Sequence, residues 1–129
     1  MLFRSWVTPL DGKDGSPLAL YLAMSADGAT FSARTRVPTR GPAAHVQVVA
    51  EPAGSLVAAW EENVGGTRRV AFARVTVDTA GKVSVSPLRV GVDEAGRGYP
   101  VVASTGNGVV AAWVKQEESG TTIGVARAR

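Results

Sequence analysis

The chain has 129 residues, 45% of them apolar and 19% charged, which is a globular composition rather than a disordered one. Its net charge of +3 comes from 14 basic residues scattered against 11 acidic ones, without the basic stripe interleaved with aromatics typical of a nucleic-acid binder, so no nucleic-acid partner is expected. With no cysteine and a single histidine, His45, disulfides, thiolate sites and the usual His/Cys zinc clusters are excluded, and neither a metal nor a cofactor is expected.

The chain opens in strand-like sequence. Leu2-Phe3-Arg4-Ser5-Trp6 has no apolar core behind its charge, so no signal peptide is expected in this stretch. No run approaches the roughly 18 apolar residues of a membrane helix, so no membrane partner is expected either. Strand segments follow at 2–8, 18–26 and 31–37. The first break, Asp11-Gly12-Lys13-Asp14-Gly15, has too few ligands for a calcium loop and reads as a hairpin turn. The second break is Ser25-Ala26-Asp27-Gly28-Ala29-Thr30-Phe31.

Four segments come next, at 46–50, 55–62, 68–78 and 82–90. They are parted by Pro52-Ala53-Gly54, Asn63-Val64-Gly65-Gly66 and Thr79-Ala80-Gly81, all rich in turn-forming residues. A last group holds Tyr99–Ser104, Val109–Trp113 and Ile123–Arg127. Val, Phe, Thr and Ala dominate the segments, and no amphipathic window of helical period appears, so the fold class expected is all-β.

The segments repeat. Trp6, Trp60 and Trp113 are 54 and then 53 residues apart, each closing a similar apolar run. Leu20–Met24 parallels Val70–Arg74 and Ile123–Arg127, and His45–Ala50 parallels Tyr99–Ser104 at the same period. A full unit has four segments, A to D. Residues 1–37 form an incomplete unit (B to D), 45–90 a complete one and 99–129 an incomplete one (A to C), giving ten strands in one domain. Segment B is nearly all apolar, as a strand buried on both faces would be. Segment C alternates large and small: Val70 and Phe72 against Ala71 and Ala73, Ile123 and Val125 against Gly124 and Ala126. Four-stranded antiparallel sheets stacked face to face, bulky side on small side, predict part of a β-propeller; a β-sandwich is the alternative, but it requires no period.

The turn at 25–31 resembles the Asp-box (BNR repeat) of sialidase-like propellers, S-x-D-x-G-x-T-[WF], in a form one residue shorter. Ser25, Asp27, Gly28, Thr30 and Phe31 occupy its positions, and Asp78-Thr79-Ala80-Gly81-Lys82-Val83 is a degraded copy. The resemblance implies a structural role: the carboxylate holds backbone amides, the glycine takes positive φ, and the aromatic anchors neighbouring blades. The resembled family is often secreted or periplasmic, while the sequence itself leaves localisation open.

Up-and-down order places the B–C and D–A connections on one rim, where the resemblance puts ligands. That rim carries Asp11, Asp14, Glu61, Glu62, Asp93, Glu94, Glu117 and Glu118, eight of the 11 acidic residues, together with Arg40, His45, Arg97 and Tyr99. It reads either as a recognition face for a sugar, a peptide or a cation, or as the ordinary gathering of charge in loops. Sialidases combine an arginine triad, a Tyr–Glu nucleophile pair and an Asp acid/base. No R-I-P-type motif occurs here and no catalytic residue is assignable beyond Tyr99 as a weak candidate nucleophile. His45 has no serine partner. The expected function is a non-catalytic segment, scaffold or carbohydrate- or protein-binding; the alternatives are a fragment of an exo-sialidase-type glycoside hydrolase and a purely structural protein. The incomplete terminal units should expose Leu20, Leu22, Ile123 and Val125, or the opposite faces, and invite self-association.

Overall fold

The computed structural model of the protein describes residues 2–90 and 97–128. Each strand-forming run becomes a β-strand: β1 (Leu2–Pro9), β2 (Leu18–Ser25), β3 (Thr35–Val37), β4 (Ala43–Ala50), β5 (Leu56–Val64), β6 (Thr67–Val77), β7 (Val83–Leu88), β8 (Arg97–Thr105), β9 (Gly108–Glu117) and β10 (Gly120–Ala128). They form three antiparallel sheets in sequential order, β1-β2-β3, β4-β5-β6-β7 and β8-β9-β10, and none of the sheets closes on itself. No helix occurs among the described residues. The fold is all-β.

The repeat survives as register. Trp6 lies opposite Tyr21, Trp60 opposite Ala71 and Trp113 opposite Gly124, so the three tryptophans take the same place on β1, β5 and β9. The β5–β6 hairpin shows how local sequence sets this. Gly65 and Gly66, at φ 58° and 81°, make the two-residue turn that pairs Val64 with Thr67 and fixes every pair below it.

The sheets stack, with the middle one covered on both sides. One core joins Leu20, Leu22, Met24 and Val37 of the first sheet to Ala58, Trp60, Ala71 and Ala73 of the middle one. The other joins Val57, Ala59, Val70 and Phe72 of the middle sheet to Val109, Ala111 and Trp113 of the third. In both, the large residues of a third-in-unit strand meet the tryptophan face of the next sheet. The bulky-on-small pattern is therefore the packing rule of the stack, and such burial contributes roughly 1.5–3 kcal/mol for each large side chain.

Three expectations need correction. Leu20 and Leu22 are 0% and 1% exposed, because they face the middle sheet; only Ile123 and Val125, at 66% and 65%, lie open. Of the three B strands, β1, β5 and β9, burial on both faces holds for β5 alone. In β9, buried residues alternate with partly exposed ones, since among the described residues no sheet covers its far side. The segment 31–37 contributes just the three residues of β3, because Ser32 takes over Met24: its N–H donates to Met24 O at 2.7 Å and its Oγ accepts the Met24 N–H at 3.1 Å.

Candidate functional site

Two adjacent glutamates at the end of β5 organise the rim. Sequence placed Glu61 and Glu62 in a solvated loop, but both are buried and strand-paired, at 8% and 1% exposure. Being neighbours on a strand, they point to opposite faces. Glu62 turns towards the first sheet, where its carboxylate accepts the Trp60 indole N–H at 3.0 Å, the Arg40 backbone N–H at 3.0 Å and the Arg40 Nε at 2.6 Å. A carboxylate this buried is tolerated only with such partners.

Glu61 turns towards the third sheet and gathers groups from three strands. Its Oε1 is 3.1 Å from Arg68 Nε on β6, its Oε2 accepts the Tyr99 backbone N–H at 3.0 Å, and His45 Nδ1 stands 3.4 Å from the same Oε2. Above this carboxylate the rings of His45 and Tyr99 lie 4.7 Å apart, and the Arg68 guanidinium sits 5.4 Å from the Tyr99 ring centre. Tyr99 is 51% exposed and the His45 side chain 50%. The cluster thus presents two open ring edges over a buried acid.

The backbone beneath is strained in the same way twice. His45 and Tyr99 hold φ at 50° and 49°, the left-handed region that side-chain-bearing residues avoid, and each sits in a register shift, between Ala44 and Gln47 in one strand and between Gly98 and Val101 in the other. The two positions are repeat equivalents. A Cβ at Gly98 would come 2.8 Å from Arg68 Cδ and 2.9 Å from Glu61 Oε2, so a side chain there would push the Arg68–Glu61 pair aside. Strain repeated at one rim makes the two positions candidates for a functional role.

Of the other rim candidates, Arg40 serves Glu62 and lies beside a shallow groove of about 270 Å³ formed with Leu10, Pro17, Arg36 and Thr39. Arg97 is buried, stacked 4.5 Å from the Trp113 ring, and donates to Val90 O at 3.4 Å. Lys115 occupies the position of Glu62, and Trp113 Nε1 has no hydrogen-bond partner among the described residues. Asp11 and Asp14 stay in the exposed β1–β2 turn; Asp11 accepts the Lys13 N–H at 3.3 Å, and the Ser16 hydroxyl draws its pKa down. Glu117 pairs with Lys115 at 2.9 Å, and Glu118 is exposed. No group of three acidic or histidine residues able to hold a metal occurs among the described residues. Asp93 and Glu94 lie outside them.

The turn from Ser25 to Phe31 is built by one carboxylate. Asp27 Oδ1 accepts the N–H groups of Thr30 at 2.8 Å and Ala29 at 2.9 Å and the Ser25 hydroxyl at 2.9 Å, which together hold its pKa down at about 2. Gly28 takes φ 78°, and Phe31 lies under the Arg4 guanidinium at 4.9 Å. Asp78 does the same with Ala80 and Lys82, both at 2.9 Å. These turns sit at the ends of the strands away from the Glu61 cluster.

Arg68 is the residue that reading the sequence missed. The signal was available: with Glu61 paired to Val70, Arg68 is its diagonal neighbour across the hairpin and on the same face. No family model, curated protein or solved structure matches the chain.

Proposed function

We propose that the chain is a stretch of a sialidase-like β-propeller serving as a non-catalytic binding module, with its three sheets as consecutive blades and the rim around Glu61 as a glycan-binding face. One observation carries the site: Glu61 draws His45 and Arg68 of its own sheet and Tyr99 of the third sheet into one cluster, over a backbone strained at both ring positions. Exposed aromatic rings suit the C–H face of a sugar, and a carboxylate with a guanidinium beside it suits its hydroxyls. The propeller reading is supported by the period of 53–54 residues, the sequential strand order and the bulky-on-small stacking.

The test is a glycan array probed with the wild-type chain and with Tyr99→Ala, beside a fluorogenic sialoside assay. Binding to a restricted set of glycans, lost in Tyr99→Ala, and no turnover are expected. Turnover that vanishes in Tyr99→Phe would instead make the chain part of an exo-sialidase-type hydrolase. A silent array would leave a purely structural role.

A further inference from the structure

Around the middle sheet, arginines are neutralised by glutamates: Arg40 meets Glu62, Arg68 meets Glu61 and Arg74 meets Glu51. The first sheet is different. Leu20, Leu22 and Val37 turn inward to the core, so the opposite face, with Arg4, Trp6, Tyr21 and Arg36, looks away from the stack. Arg34 sits over the Tyr21 ring at 4.7 Å and Arg4 over the Phe31 ring at 4.9 Å, while Trp6 stacks on Tyr21 at 6.0 Å. Arg4, Arg34 and Arg36 are exposed, and none has a carboxylate or hydrogen-bonded partner among the described residues. No strand residue of this face is acidic; Asp11 and Asp14 belong to the β1–β2 turn, and Asp27 is held in its own turn. At the rim end of the face, Ala19 and Arg36 join Leu10, Pro17, Leu18 and Thr39 around the groove of about 270 Å³. No basic stripe runs along the sequence, but the fold gathers one.

We propose that this outer face of the first sheet binds a single strand of nucleic acid, at a site separate from the rim around Glu61. A guanidinium laid over a ring keeps its N–H groups for phosphate oxygens and offers its outer plane to a base. Strand geometry sets the Cα atoms of Arg4, Arg34 and Arg36 about 7–12 Å from one another, so each can hold a different phosphate of one strand. The groove, apolar along most of its wall, suits an unstacked base next to the Arg36 guanidinium. A sulfated sugar would meet the same charge, but it has no flat π-face to lay on the guanidiniums.

Fluorescence anisotropy of labelled oligodeoxythymidine and oligouridine strands, with the salt concentration varied, tests this. Saturable binding of the chain is expected, weakening steeply as salt rises. Arg34→Ala and Arg36→Ala should each weaken it about tenfold and flatten the logarithmic salt slope by about 0.7, with melting temperatures close to wild type because both side chains are exposed. Arg34→Lys should keep the salt slope yet lose affinity, since an ammonium offers no plane for a base. Tyr99→Ala should leave strand binding unchanged, so this site and the glycan rim are tested separately. Absence of binding at low salt, binding indifferent to Arg34→Ala and Arg36→Ala, or a heparin fragment held as tightly as a strand of equal charge would each overturn the proposal.

Discussion

His45 and Tyr99 set stability against function at single positions. A side chain held in the left-handed region costs about 1–2 kcal/mol, and glycine removes that cost. Tyr99→Gly should therefore abolish glycan binding while leaving urea stability equal to wild type or higher; a loss of several kcal/mol would show that the ring is structural. Asp27 makes a different prediction. Its folded pKa of about 2 is below the usual 3.8, so its contribution is complete above the usual value and fades as pH falls towards 2. Asp27→Asn should lower the melting temperature at pH 6 and match wild type near pH 2. A difference that does not change with pH would contradict the carboxylate's role.

Among the elements, β5 carries the largest departure from expectation. Paired glutamates before Asn63 and two glycines look like the start of a solvated loop, yet the strand runs on to Val64. Part of what makes their burial tolerable, Arg68, lies across the same hairpin, but Arg40 and Tyr99 are distant in sequence, and composition cannot reveal them. The same geometry ranks the ion pairs. Glu62→Ala strands the buried Trp60 Nε1, while the half-exposed Arg40 can turn to solvent, and should cost about 2–3 kcal/mol in urea unfolding. Glu51 also binds an arginine in two places, Arg74 at 2.8 and 2.9 Å, but at a partly exposed site, so Glu51→Gln should cost about 1 kcal/mol. Equal losses would refute the ranking. Gly124 is set by packing across the hairpin: a Cβ there would overlap the Trp113 indole, so Gly124→Val should destabilise the third sheet.

Across the whole molecule, the period was legible because tryptophan, the large–small alternation and the His45/Tyr99 position all repeat with it, and each marks a contact between sheets. Which end lies open was not legible. Leu20 and Ile123 read alike as sequence, and only the direction of stacking buries one and exposes the other. The candidate site was half legible: His45, Glu61 and Tyr99 were assigned to one rim, but the carboxylate that unites them was placed in solvent. The central claim is that this rim binds a glycan. Amide chemical shifts recorded while sialyllactose, or the strongest ligand on the array, is titrated into the chain test it most directly. The account predicts that the shifts concentrate at His45, Glu61, Arg68 and Tyr99; saturable shifts confined to the Asp27 and Asp78 turns, or no saturable shifts at all, would contradict it.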